Sequence, residues 1–144
     1  MEIPIKEENR IIRGGLIRTP RDDRDFQLGN ITKLPKIEEL PDNFVLSPLA
    51  IKNQLQSDFC SAFASCYASE IQEEVELEPS WSFAVSKMLS GDVDEFGQDL
   101  RTAAKVLTKF GSIKKTDSPY SLENKDDYFL RHIENWPKEL FEKA

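Results

Sequence analysis

The sequence predicts a mainly α-helical fold. Two observations carry this. Apolar residues recur at helical spacing over three stretches between residues 58 and 111, and Pro79, Gly91 and Gly111 punctuate those stretches where helices start or stop.

Residues 1–40 read as a leader with little regular structure. Gly14-Gly15, Pro20, Gly29 and Pro35 break it, and the charged stretch Arg18–Asp25 lies among them. The leader is expected to drape over the rest of the chain and to dock through Ile11, Ile12, Leu16, Ile17, Phe26 and Leu28. Residues 41–144 form the one predicted domain. Its first part, 41–57, is irregular or extended because Pro41 and Pro48 disfavour helix, with a short strand at Phe44-Val45-Leu46.

The best helix candidate is 58–76. Ser57 or Asp58 is a suitable N-cap, and Ala62, Phe63, Cys66, Tyr67 and Ile71 share one face. Glu70, Glu73, Glu74 and Glu76 read as a solvated face at its end. A second helix is capped by Ser80 and ends at Gly91, burying Trp81, Ala84, Val85, Met88 and Leu89. A third runs from near Asp99 to Gly111, which stands at the C′ position; its core face is Leu100, Ala103, Ala104 and Leu107. Pro119-Tyr120 marks a turn. Residues 124–134 form a fourth helix, and Pro137 opens a short last one.

Composition limits the function. With 19 basic and 26 acidic residues among 144, the net charge is −7, the wrong sign for a nucleic-acid partner. No apolar run has the length of a membrane span, and Met1–Lys6 does not open a signal peptide, so the expected compartment is the cytoplasm. Cys60 and Cys66 would point about 120° apart around one helix, which disfavours a disulfide. No Cys/His cluster has zinc-ligand spacing. The run Asp92–Gly97 fails as a calcium loop, because Phe96 and Ala103 stand where ligands are required. No metal or organic cofactor is implied.

The chemistry concentrates in Lys52-Asn53-Gln54-Leu55-Gln56-Ser57-Asp58-Phe59-Cys60-Ser61-Ala62-Phe63-Ala64. Cys60 falls in the first turn of the long helix, where unpaired N–H groups and the dipole favour a thiolate, the nucleophilic form. If the loop between them folds back, the Gln54 amide reaches an oxyanion formed by attack of Cys60 on a carbonyl. The backbone N–H of Cys60 is a second donor. One such donor contributes about 3–4 kcal/mol in the transition state. Cys66 reads as a small core residue.

Lys-Asn-Gln followed after five residues by Cys-x-Ala-Phe-Ala resembles the active-site segment of papain-like cysteine peptidases, of the bacterial and phage type. The resemblance extends over residues 40–120. It includes Leu40-Pro41-Asp42-Asn43-Phe44 at the usual mature start, Leu77–Phe83 entering the second helix, Phe110-Gly111 and Ser118-Pro119-Tyr120. Arg24-Asp25-Phe26 is similar to an element of short leaders in that group.

The resemblance implies the helical lobe of an α+β fold whose β-barrel lobe is absent from this chain. It implies Cys60 as nucleophile and Gln54 in the oxyanion hole. Phe96, Gly97 and Gln98 would line the cleft and pair with the backbone of a peptide or protein substrate. Asp58 replaces a glycine of the pattern, narrows the cleft and places a carboxylate beside the thiol, opposing its ionisation. Leu55 and Ser61 also depart from the pattern.

Hydrolysis needs a general base. The one histidine, His132, lies too close to Cys60 in sequence for the family's base and sits in a charged segment that reads as surface helix. The catalytic histidine and asparagine are therefore expected from a β-barrel half or an assembly partner outside these residues. The chain alone is expected to have little hydrolytic activity. A catalytically silent binding or structural module on the same lobe is the alternative, and a papain-like acyltransferase is a second enzymatic one.

Overall fold

The computed structural model describes residues 2–4, 11–13, 15–25, 27–43, 45–46 and 49–144. Gly14, Phe26, Phe44 and Pro48, and the side chains of Ile11, Ile12 and Leu28, all named above, lie outside the described residues.

The chain is mainly helical. Its helices are α1 (Leu28–Ile31), α2 (Cys60–Glu73), α3 (Pro79–Ser90), α4 (Leu100–Lys109) and α5 (Asp127–Arg131), with 3₁₀ turns at Ile37–Glu39, Lys115–Asp117, Ile133–Asn135 and Lys138–Glu142. Two strand pairs complete the described elements. In one, β1 (Glu2–Pro4) runs antiparallel to β2 (Ile11–Arg13), with Glu2 opposite Arg13. In the other, β3 (Leu16–Ile17) runs parallel to β4 (Gln98–Asp99), with Leu16 opposite Gln98. The second pairing stitches the leader to the domain. Among the described residues no helix is long and apolar enough to cross a membrane.

Helix α3 is the centre. Every residue from Pro79 to Lys87 is buried, and α3 packs against α2, α4 and α5. The core gathers Phe59, Ala62, Trp81, Phe83, Ala84, Val85, Val106, Ile113, Leu130, Trp136 and Leu140. Phe59 stacks on Phe83 with ring centroids 4.1 Å apart. Trp136 satisfies its indole N–H on the Leu130 carbonyl at 2.9 Å. Complete burial explains why a one-faced pattern misassigned α3: Phe83 is fully buried, whereas Met88 and Leu89, in the last turn, are 40% and 39% exposed.

The helix ends differ from expectation for local reasons. Helix α2 begins at Cys60, with Phe59 as an N-cap that makes no side-chain cap bond. Ser57 and Asp58 have other partners: the Ser57 hydroxyl donates to the Gln54 carbonyl at 2.7 Å, and the Asp58 carboxylate is engaged by Gly97 and Arg131. The cap of α3 is Glu78, which accepts the Ser80 N–H at 3.0 Å with Pro79 in the first turn. Helix α4 starts as expected, with Asp99 accepting the Thr102 N–H at 3.0 Å. Its buried face is Ala103 and Val106, while Leu100 and Ala104 are exposed, so the true stripe is offset from the predicted one. The predicted fourth helix shortens to α5 followed by the turn at Ile133–Asn135, and Pro137 precedes the turn at Lys138–Glu142.

Two buried charges that pattern reasoning placed in water, or passed over, brace the loops. Glu70 is 1% exposed. Its carboxylate accepts the Leu77 N–H at 2.6 Å and pairs with Lys52, which also donates to the Leu77 carbonyl. This cluster ties the segment just before Gln54 to the end of α2. Lys87 is fully buried, and its ammonium donates to the carbonyls of Glu95 at 2.7 Å and Asp92 at 3.3 Å, fixing the loop that leads to Gly97.

Removing one partner of a buried ion pair strands the other charge. Glu70→Ala is expected to lower the unfolding free energy in urea by about 3–5 kcal/mol. The double replacement of Lys52 by Met and Glu70 by Leu should recover most of that loss. A loss below about 1 kcal/mol, the range of exposed pairs, would show that the cluster carries no such role.

Candidate active site

Cys60 is the first residue of α2 and is partly exposed. Three segments meet around it: the turn Gln54–Ser57, the loop ending at Gly97, and the leader at Gly15.

The turn is closed by its own hydrogen bonds. Asn53 accepts the Leu55 N–H on its side chain at 2.8 Å, Leu55 takes a positive φ of 53°, and the Gln54 carbonyl accepts the Ser57 N–H at 3.1 Å. This folds the chain back on itself. The Gln54 amide nitrogen donates to the Ser57 carbonyl at 3.2 Å, three residues before Cys60. An amide NH₂ carries two donor hydrogens, so this bond leaves Gln54 a second one.

Asp58 does not present its carboxylate to the groove. The side chain is inside the protein, where it accepts the Gly97 N–H and a 3.0 Å hydrogen bond from the Arg131 guanidinium. Arg131 is also held by Asp127 at 3.3 Å. The aspartate therefore bolts the Gly97 loop and α5 to the segment that delivers Cys60. What Asp58 turns toward the groove is its backbone carbonyl, against which Gly15 lies.

Of the predicted cleft residues, Phe96 is 45% exposed, while Gly97 and Gln98 are buried. The Gln98 side chain turns inward, donating to Ser90 at 3.1 Å and accepting the Asp99 N–H at 3.0 Å. Its backbone N–H faces the groove and donates to the Gly15 carbonyl at 2.8 Å. The leader at Gly15 fills the gap between the Asp58 carbonyl and the Gly97–Gln98 main chain, and this gap is the groove. Beyond the groove the leader is anchored by Arg101, which binds the Pro20 carbonyl at 3.2 Å and the Asp25 carboxylate.

The pKa of Cys60 lies above the ordinary thiol value, opposite to the lowering expected at a helix N-terminus. Burial is the largest cause. The backbone N–H groups of Gly15 and Ser61 pull it back down, and the Asp58 charge adds a smaller upward push. The same carboxylate is paired with Arg131 at 3.0 Å. Cys66 is inert by comparison: it is fully buried, donates to the Ser82 hydroxyl at 3.3 Å, and burial raises its pKa to about 11. Both cysteines are free thiols.

His132 is half-buried rather than solvated. Its Nδ1 lies 3.0 Å from the Glu134 carboxylate, its ring packs 4.7 Å from Tyr128, and its Nε2 is buried with no hydrogen-bond partner. It makes no hydrogen bond to Cys60. Among the described residues no group of three or more His, Cys, Asp or Glu side chains could hold a metal ion.

Sequence reasoning missed Gly15, Lys87 and Arg131. Gly15 carried a readable clue, a glycine pair in a leader expected to drape over the domain. Lys87 and Arg131 carried none, because each finds partners only through tertiary packing.

The raised pKa sets a pH dependence. Little thiolate exists at pH 7, and its fraction grows as pH climbs through the folded-state pKa. The rate of Cys60 alkylation by iodoacetamide, followed by mass spectrometry, should keep rising beyond the free-cysteine pKa of about 8.5. A plateau reached below pH 8 would contradict the burial assigned to the sulfur.

No family model, curated protein or solved structure matches this chain, so the papain-like resemblance of residues 40–120 stands on the motif alone.

Proposed function

We propose that the chain is the cysteine-bearing helical lobe of a papain-like cysteine peptidase that hydrolyses peptide bonds by acyl transfer from substrate to Cys60. One observation supports this above the others: an extended peptide segment lies in a main-chain-lined groove beside a helix-N-terminal cysteine, hydrogen-bonded through its carbonyl to Gln98. In the proposed reaction the Cys60 sulfur attacks the scissile carbonyl. The oxyanion is held by the Cys60 N–H and by the Gln54 amide, which gives up its bond to Ser57 or uses its second hydrogen. The thiol proton passes to an imidazole and then to the leaving amine. Water completes the cycle by releasing the acyl group as a carboxylic acid.

That imidazole is not His132, which is engaged by Glu134. It belongs to the β-barrel half that the resemblance calls for. The large apolar residues Val45, Leu46, Leu49, Ile51 and Leu55, near Gln54 in sequence, are 85%, 54%, 47%, 92% and 54% exposed, which is compatible with such a covering lobe.

A second reading is a silent binding module. The raised pKa of Cys60 favours it, since burial leaves the thiol without activation. The two readings share the groove and differ in turnover.

A peptidyl epoxide separates them from a mere structural thiol. It is expected to label Cys60 at least about tenfold faster than the same epoxide without its peptide, because holding the reagent in place raises effective concentration. Cys66 should stay unlabelled and Cys60→Ala should abolish the adduct. Equal rates for the two reagents at Cys60 would sink the peptidase reading.

A further inference from the structure

The contact between Gly15 and the groove goes beyond shelter for a thiol. A Cβ built on Gly15 would stand 2.0 Å from the Asp58 carbonyl oxygen, 2.6 Å from its carbon and 2.9 Å from its Cα. All three lie far inside the roughly 3.5–4.0 Å at which carbon atoms rest. All are backbone, so no rotamer change relieves the clash. On the facing wall, a Cβ on Gly97 would meet the Gly15 carbonyl oxygen at 2.2 Å, and Gly97 holds φ +73°. The two walls cannot part easily. The Gly97 N–H is bonded to the Asp58 carboxylate, Arg131 clamps that carboxylate from behind, and Lys87 holds the loop leading into Gly97. The slot admits a bare backbone and reads it through the Gln98 N–H.

We propose that the groove between Asp58 and Gly97 is a glycine-only subsite, filled in cis by Gly15 and able to take in trans a peptide that carries glycine at the same place. This rests on the reading of the groove as a peptide-binding cleft and names the class of peptide it takes. Selectivity follows from exclusion: any side chain at that position meets the Asp58 main chain. Leu16, the next residue, is 55% exposed and makes its strand contact through the backbone.

The full chain tests this through the alkylation rate of Cys60, with Cys66 as the internal reporter of unfolding. Gly15→Ala should speed Cys60 alkylation about tenfold or more, as overpacking expels the leader. Leu16→Ala should leave the rate unchanged. A capped pentapeptide copying residues 13–17, Arg-Gly-Gly-Leu-Ile, is then added to Gly15→Ala. It should restore protection, and the same peptide with alanine at its third position should not.

Arg101→Ala, which loosens the leader without touching the groove, provides a second host for the peptide comparison if Gly15→Ala exposes Cys66. Wild-type alkylation rates in Gly15→Ala, or equal protection by both peptides, would overturn the inference. Glycine-dependent protection with neither peptide cleaved, after a papain-type β-barrel lobe is supplied, would uphold it while removing the peptidase reading.

Discussion

The site hangs on one buried junction, the Asp58 carboxylate held between the Arg131 guanidinium and the Gly97 N–H. Three segments far apart in sequence meet there: the turn into α2, the glycine loop before α4, and α5. A carboxylate with 0% side-chain exposure would be costly without such partners. With them it becomes a strut whose geometry is fixed by a charged pair and a main-chain donor. The placement of Cys60 relative to Gly97 follows from it, because Asp58 lies two residues before the cysteine. So does the width of the groove, since the same residue that binds the Gly97 N–H with its side chain presents its carbonyl to Gly15.

A substitution that looked adverse in sequence thus has a different consequence in the fold. An aspartate where the papain-like pattern has glycine adds negative charge near a thiol. Paired with Arg131, that charge is a lesser influence on Cys60 than burial is. What the change alters most is space. On the proposed reading, the Asp58 side chain holds the opposite wall of the groove, and the slot beside its carbonyl admits only main chain. Charge arguments from sequence could not anticipate this, because Arg131 lies 73 positions away and has no local sign of its partner.

The helices were legible to the extent that their periodicity and punctuation were local. The cap of α4 at Asp99, the stop at Gly111 and the break at Pro79 follow from residue chemistry within a turn or two. The phase of burial was less legible. Helix α3 is enclosed on all sides from Pro79 to Lys87, so no single stripe describes it, and α4 offers Leu100 and Leu107 as decoys beside the true contacts of Ala103 and Val106. Glu70 and Lys87 were unreadable for another reason. Each satisfies its charge with carbonyls, amides or ions contributed by loops, and composition treats such residues as surface. Of the site, the positions of Cys60 and Gln54 were marked by spacing, and the Gly97 loop by its likeness to a known pattern. The leader was read as draping over the domain, but Gly15 was not singled out within it, because a glycine pair reads as a break in structure before it reads as a contact.

The thiol shows how these levels combine. A helix N-terminus stabilises a nearby anion by about 0.3–1 kcal/mol at an exposed position and up to about 2 kcal/mol when partly buried. One pKa unit corresponds to about 1.4 kcal/mol. The dipole can therefore lower a thiol pKa by no more than about one and a half units. Burial opposes it directly, and here burial wins. The leader's Gly15 N–H acts in the other direction and draws the thiol pKa down. The helix end supplies a latent preference for thiolate, and the occupant of the groove decides whether water can help express it. On the proposed reading, reactivity at Cys60 is a property of an exchange: a chain segment that leaves the slot uncovers the sulfur, and an incoming peptide covers it again while bringing a carbonyl to within its reach.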